Sequence, residues 1–478
     1  MIATEAATGT FRERPVSPKG GSTASSESSV EASMKYIPQG KDDEKELLKA
    51  IGLKSTEELF SNIPSQLRIK KPLDYPRAQS EIEIRQTFEN LSKLSPVPSV
   101  SFAGCGVYSH YIPSIVPQIQ GRSEFATAYT PYQPEISQGL LQAIFEYQTL
   151  ACQLTECELS NASVYDGATA LAEGVLMALR LKKKSEGKIL VSQSIHPFYQ
   201  EVLRSYCTVF EDRIQMLPLE GDVLSLKALE QNIESADVVV TQSPNIFGVI
   251  ENYSAVSKLV KNSKAFWVTS TMEPFAWGVL RGPGAFGAHI VTGEGQSFGN
   301  AAYLGGSSFG IFATRNEYLR NLPGRLVGET VDQKNRRSYV LTFATREQFI
   351  RRDKATSNIC TNQNLNMLAG LIHLATLGKK GFREVAVQNL SRSEYLKNKI
   401  RSETKLKVSS AATFNEFTIE SREDASRIVE AGTQQGFIPG VALGSLRSEW
   451  SKKLSIHANE LHDLEQMNSL VRFLKSYE

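Results

Sequence analysis

Five segments of this chain set polar or glycine-rich residues where chemistry has a use for them. Ser163-Val164-Tyr165-Asp166-Gly167-Ala168-Thr169 offers a tight turn and then a helix start. The unpaired N–H groups of such a start suit a phosphate or another anion; Asp166 also suits a plain N-cap. Ser194-Ile195-His196-Pro197 follows an apolar run, so His196 reads either as a ring contact or as a turn residue. Met272-Glu273-Pro274 sets a carboxylate after another such run, fit for a ring nitrogen or for solvent. Gly293-Glu294-Gly295-Gln296-Ser297-Phe298-Gly299, with Gly305-Gly306 beyond it, has the glycine density that lets a backbone approach a ligand or a second chain closely. Tyr129-Thr130-Pro131-Tyr132-Gln133-Pro134-Glu135 joins two backbone-restricting prolines to polar tips, as a preorganised loop or a structural turn. The stretch 334–354 adds Lys334, Arg336, Arg337, Arg346, Arg351, Arg352 and Lys354 against two acids, a solvated face or a receptor for an acidic partner.

These segments need a scaffold that brings them together. Apolar runs at 188–192, 237–241, 264–269, 288–291 and 307–313 read as buried strands. Helical patterns separate the earlier ones, and 168–181 is the plainest. There Ala168, Leu171, Ala172, Val175, Leu176 and Leu179 recur along one helix face. Strands alternating with helices predict a large doubly wound α/β domain with a mostly parallel sheet covered on both faces. Ligands of such sheets bind beyond the carboxyl ends of the strands, where His196, Glu273 and the glycine segment fall. Residues 43–67 read as helical and amphipathic, and 81–94 and 138–152 as further helices. A strand at 414–419 with helices at 425–435 and 464–476 predicts a smaller C-terminal α/β domain. The plan is a disordered extension over 1–33, an N-terminal helical arm over 34–95 and the large domain over 96–330. Connecting helices and interface follow over 331–400, and the small domain over 401–478.

Composition removes several classes. With 53 Lys and Arg against 51 Asp and Glu, the net charge of +2 argues against a chain that lives on nucleic-acid phosphates. No apolar run approaches the roughly eighteen residues of a membrane span, so no membrane is expected. Cys105, Cys152, Cys157, Cys207 and Cys360 are scattered and odd in number, as reduced cytoplasmic thiols are; neither a disulfide framework nor a metal site is expected. Eleven of the first 33 residues are Ser or Thr and Phe11 is their only aromatic, which predicts disorder. That segment lacks the apolar core of a secretory signal, and Glu5, Glu13, Glu27 and Glu31 set it against a transit peptide. It reads as a plain extension or as an upstream start ahead of Met34. Lysine is absent from Ala265 to Gln333, a gap of 69 residues to which composition alone gives no meaning.

Taken in order, the anion turn, the histidine, the strand-end acid and the glycine segment resemble the layout of pyridoxal-phosphate enzymes of fold type I, the aspartate aminotransferase type. The resemblance implies a phosphate at Gly167 and Thr169, a ring contact at His196 and a carboxylate, Glu273, on the pyridinium nitrogen. It also implies a lysine past a later strand to form the Schiff base.

Longer words narrow the resemblance. They are Arg122-Ser123-Glu124-Phe125, the run 127–139 around Tyr129-Thr130-Pro131-Tyr132-Gln133-Pro134-Glu135, and Asn161-Ala162-Ser163 with Tyr165-Asp166-Gly167-Ala168-Thr169. Leu322-Pro323-Gly324-Arg325-Leu326-Val327-Gly328-Glu329-Thr330, Thr345-Arg346-Glu347-Gln348 and the run 355–363 complete them. From Met34 to about Leu474 the chain resembles the glycine dehydrogenase (decarboxylating) family, the P-protein of the glycine cleavage system, in its split form, subunit 1.

This resemblance implies an oxidoreductase that acts on glycine with a lipoyl H-protein. It implies an α2β2 heterotetramer in which subunit 2 carries the pyridoxal phosphate. Gln296 then stands at the Schiff-base lysine position, where an amide offers no nucleophilic amine. The lysine gap supplies no substitute. No covalent cofactor is expected here, and Gly167, Thr169, His196, Glu273 and Gln296 are expected to line a degenerate pocket. Tyr129, Tyr132 and Glu135 are the candidates for groups offered to the partner's site. Glu273-Pro274 for the usual Asp-Pro, the stretch Asn300-Ala301-Ala302-Tyr303-Leu304, Ser307 in place of proline and Ala458-Asn459-Glu460 depart from the family pattern. They keep a regulatory or scaffold paralogue as the alternative.

Overall fold

The computed structural model describes residues 39–477 apart from 96, 127–128, 184–185 and 304; the extension expected over 1–33 lies outside them. Contacts divide the chain into two compact units, with the boundary between Asn90 and Leu91.

In the first unit, α1 (Lys41–Ala50) stops at Ile51 because Gly52 takes a positive φ of 75°. Short 3-10 turns follow at Thr56–Phe60 and Ser65–Leu67, so the helical reading of 43–67 holds only for its first part. The helix α2 (Glu81–Lys93) begins there as well. Leu48 is buried, whereas Ile51, Leu59, Phe60, Ile82 and Phe88 are exposed.

The second unit is built on a seven-stranded mixed sheet. Its strands are β1 (Leu159–Ser160), β2 (Lys188–Ser192), β3 (Ile214–Leu217), β4 (Ala236–Gln242), β5 (Phe266–Thr271), β6 (Ile290–Glu294) and β7 (Gly310–Thr314). They lie in the order β1-β7-β6-β5-β4-β2-β3. The run from β6 to β3 is parallel, and β7 and β1 add antiparallel edges. Alternation along each strand divides the core in two. Leu190, Val239, Trp267 and Val291 face one layer with α3 (Gln138–Thr155), α6 (Tyr253–Lys261) and the first half of α7 (Asn364–Glu403). Ile189, Val191, Val238, Val240, Val268 and Ile290 face the other, with α4 (Gly167–Lys182) and α5 (Pro197–Tyr206). The fold is thus doubly wound. Its parallel strands place their carboxyl ends, and the loops after β2, β5 and β6, on one edge of the sheet.

The strand read at 307–313 begins only at Gly310, because the Ser308 hydroxyl turns back to Glu294. The helices expected to connect 331–400 give way at the start to a hairpin of β8 (Val327–Val331) and β9 (Arg337–Leu341). Within α7, Gly378 at φ 58° breaks the helical path. The C-terminal sheet, β10 (Lys407–Val408), β11 (Glu416–Glu420), β12 (Val441–Ala442) and β13 (Lys453–His457), is ordered β10-β11-β13-β12. Phe417, Ile419, Leu454 and Ile456 pack there against Ile428 of α8 (Ser426–Gln434) and Met467, Leu470 and Val471 of α9 (Leu464–Leu474). Among the described residues, no helix is long and apolar enough to cross a membrane.

Candidate functional site

Asp166 caps α4 by accepting from the Thr169 N–H at 2.7 Å. The Gly167 N–H, one step inside the cap, donates to Glu294 Oε2 at 3.0 Å. The other oxygen of Glu294 accepts from the Gln296 N–H at 3.2 Å and from the Ser308 hydroxyl. Glycine is required at 167 by crowding: a Cβ there would stand 2.3 Å from the Tyr199 hydroxyl and 3.0 Å from the Glu294 nitrogen. Burial pushes the Glu294 carboxyl up to about 7 against the pull of these donors.

His196 follows β2 and caps α5, its Nδ1 accepting from the Phe198 N–H at 3.1 Å. Its Nε2 lies 3.8 Å from Cys105 Sγ, and burial lowers its pKa to about 4, so the ring is neutral. Glu273, beyond β5, accepts from the Phe275 N–H at 2.9 Å through Oε1. Its Oε2 accepts from the Ser297 hydroxyl at 3.1 Å and from His110 Nε2 at 3.0 Å. His110 Nδ1 in turn lies 3.1 Å from both carboxylate oxygens of Glu460. Burial opposes a charge on His110, but Glu273 and then Glu460 raise its pKa to about 9, so the ring is cationic at neutral pH.

Gln296 is engaged at both ends of its amide. Oε1 accepts from the Tyr108 N–H at 2.9 Å, and Nε2 donates to the Asn300 carbonyl at 2.8 Å. The Tyr108 hydroxyl donates to Glu416 Oε2 at 2.8 Å, tying this loop to the C-terminal sheet. Gly106, at φ 95°, runs so close that a Cβ would meet Met272 Cε at 2.1 Å and His196 Cδ2 at 3.8 Å.

The structure therefore gathers Gly167, Thr169, His196, Glu273 and Gln296, all buried, at one edge of the sheet. These residues do not fit a pyridoxal phosphate: Gln296 is an amide without a nucleophilic amine, Glu294 takes the Gly167 N–H at the start of α4, and His110 already engages Glu273. Sequence reasoning passed over Glu294 and His110. Glu294 carried one usable signal, a second acid at a strand end like Glu273; His110 carried none.

Tyr129, Tyr132 and Glu135 are exposed, unlike the members of this cluster. Arg325, buried and also passed over, anchors Tyr132. It donates to the Tyr132 hydroxyl at 3.0 Å and to the Cys360 carbonyl at 2.9 Å, and pairs with Glu347 at 2.7 Å. The Cys360 N–H donates to the Tyr165 hydroxyl at 2.8 Å, two residues before Gly167, so this patch borders the start of α4. The basic stretch 334–354 is not one charged face. Arg346 is buried on the Leu322 and Gly324 carbonyls, Arg336 pairs with Asp332, and Arg351, Arg352 and Lys354 are exposed.

The family description "Glycine cleavage system P-protein" matches residues 34–474. A probable glycine dehydrogenase (decarboxylating) subunit 1 from Geobacillus kaustophilus (strain HTA426) is 42% identical over 443 residues, covering 92% of this chain and 98% of that protein. A crystal structure of glycine decarboxylase (P-protein) of the glycine cleavage system, in inhibitor-bound form, superposes with a TM-score of 0.82 at 39% identity. It spans 93% of this chain and 100% of that one. A C-DES mutant with glycine covalently linked to its PLP cofactor shares the fold alone, at a TM-score of 0.56 and 14% identity over 82% of this chain and 99% of that one.

Proposed function

The chain belongs to the glycine cleavage system P-protein family, and we propose that it acts there as subunit 1, the subunit without a cofactor of its own. Paired with subunit 2 in an α2β2 heterotetramer, it takes part in decarboxylating glycine and passing the aminomethyl group to the lipoamide of H-protein. The pyridoxal phosphate sits on subunit 2. The observation that carries this reading is Gln296, an amide hydrogen-bonded at both ends inside a 69-residue stretch that holds no lysine. A cytoplasmic setting suits its five free thiols.

The chain's contribution is positional. Tyr129, Tyr132 and Glu135 are offered to the partner's site, where they pack beside the substrate, orient the scissile bond and exclude water. Support comes from the exposure of all three and from the buried Arg325 that holds Tyr132. Co-expression with subunit 2 tests the reading by glycine–bicarbonate exchange. Exchange that needs both chains is expected. Full exchange by subunit 2 alone would leave only a regulatory or scaffold role.

A further inference from the structure

We propose that this chain carries built-in substitutes for the two charged ends of a pyridoxal phosphate, Glu294 in place of the phosphate and His110 in place of the pyridinium. The inference rests on the reading that the cofactor belongs to the partner subunit, and it says how a fold shaped around a cofactor closes without one.

A helix N-terminus with free N–H groups is an anion site. At α4 the donors that face this position, the Gly167 N–H, the Gln296 N–H and the Ser308 hydroxyl, all converge on Glu294. A strand-end carboxylate is the usual partner of a pyridinium N–H. Here Glu273 receives an N–H from His110 instead, at 3.0 Å. Between the two ends, the room for a ring is taken by Cys105 to Tyr108. Cys105 Sγ lies against His196, and the Tyr108 N–H is on Gln296.

The substitution has a physical necessity. Without a cofactor, an open cleft would strand a buried carboxylate and unpaired helix donors, each costly to leave unmet. Asp166 and Tyr199 are the other ionisable groups beside Glu294. Glu273, Glu460, His457 and His373 surround His110.

The full-length chain tests this by thermal unfolding, with inorganic phosphate as the probe. Glu294→Ala is expected to lower Tm by about 4 °C, and phosphate to restore at least half of the loss, while the unsubstituted chain does not respond. Glu294→Ser, smaller and polar, is read in the same way should the alanine variant fail to fold. His110→Ala is expected to lose Tm and to regain it with free imidazole. Phosphate that stabilises the unsubstituted chain as much as the variants overturns the proposal, and so does the absence of any phosphate response in both Glu294 variants. Incubation with pyridoxal phosphate separates the two levels. A visible absorbance band together with a borohydride-trapped adduct mapped to a lysine beside Gln296 in the unsubstituted chain defeats the cofactor-free reading itself, whereas silent variants without such a mapped adduct defeat only the substitutes.

Discussion

Arg325 reaches Tyr132 in two ways: it donates to the hydroxyl at 3.0 Å, and its guanidinium carbon lies 5.1 Å from the ring centre. The arginine is 2% exposed and the tyrosine 55%, so a buried cation holds a solvent-facing ring in place. Lysine keeps the charge but loses the planar fork that also serves Glu347 and the Cys360 carbonyl. In the assembled complex, Arg325→Lys is expected to lower kcat about tenfold with little change in KM for glycine, a loss of about 1.4 kcal/mol. Tyr132→Phe is expected to cost less, and the double variant no more than Arg325→Lys, because the two act as one unit. Additive losses would separate them.

Glu294 and His110 give stability a pH dependence whose sign is fixed. The Glu294 pKa is raised to about 7, so its contribution is complete below the ordinary carboxyl value of 4.5 and is lost as pH rises through 7. The His110 pKa is raised to about 9, so its contribution is complete below 6.5 and is lost as pH rises through 9. Each is worth roughly 3 kcal/mol at most. Buried His196, His289 and His373, whose pKa values fall to about 4, add an opposing rise in stability below pH 6.5. Urea unfolding from pH 5 to pH 9 is therefore read as a difference between chains. The unsubstituted chain is expected to lose stability with rising pH relative to Glu294→Gln below pH 7, and relative to His110→Gln above it. Parallel profiles in all three chains contradict both assignments.

The reach of the sequence ends where contacts become long-range. The strand at 188–192 is legible because Ile189, Leu190 and Val191 form a continuous buried run, and the α4 cap because Asp166 and Thr169 are three residues apart. The partners of His110 and Glu294 are not, since Glu273 lies 163 residues from the first and Gly167 lies 127 from the second. Helical periodicity over 43–67 misled because Gly52 breaks the helix whatever the apolar spacing beyond it. The basic stretch misled because Arg346 finds buried carbonyl acceptors at Leu322 and Gly324, which no local pattern announces.

Placing a lysine at position 296 is not expected by itself to create a cofactor site. Gln296→Lys removes the acceptor of the Tyr108 N–H and leaves Glu294 and His110 where they are. A buried donor left unmet costs about 1–3 kcal/mol. The expected result is a less stable chain with no borohydride-trapped adduct at position 296 after incubation with pyridoxal phosphate. Efficient trapping in this single variant would mean that the cleft opens readily.

Arg351 and Arg352 belong, with Lys334, Arg337 and Lys354, to the exposed remainder of the basic stretch once Arg346 is set aside as buried and Arg336 as paired. Exposed cations attract an acidic carrier at long range, raise its encounter rate and add little to the chemical step. Reversing both charges is therefore expected to raise the KM for H-protein about tenfold while kcat at saturation stays within about twofold. The difference shrinks as salt shortens the screening length toward about 3 Å at 1 M. Thr345, whose carbonyl accepts from Arg351 at 3.2 Å, separates local structure from charge. Arg351→Lys loses that geometry but keeps the cation, so its KM for H-protein is expected to stay close to that of the unsubstituted complex. An unchanged KM in the double reversal would remove these arginines from carrier docking, and a fall in kcat without a change in KM would move them to the contact with subunit 2.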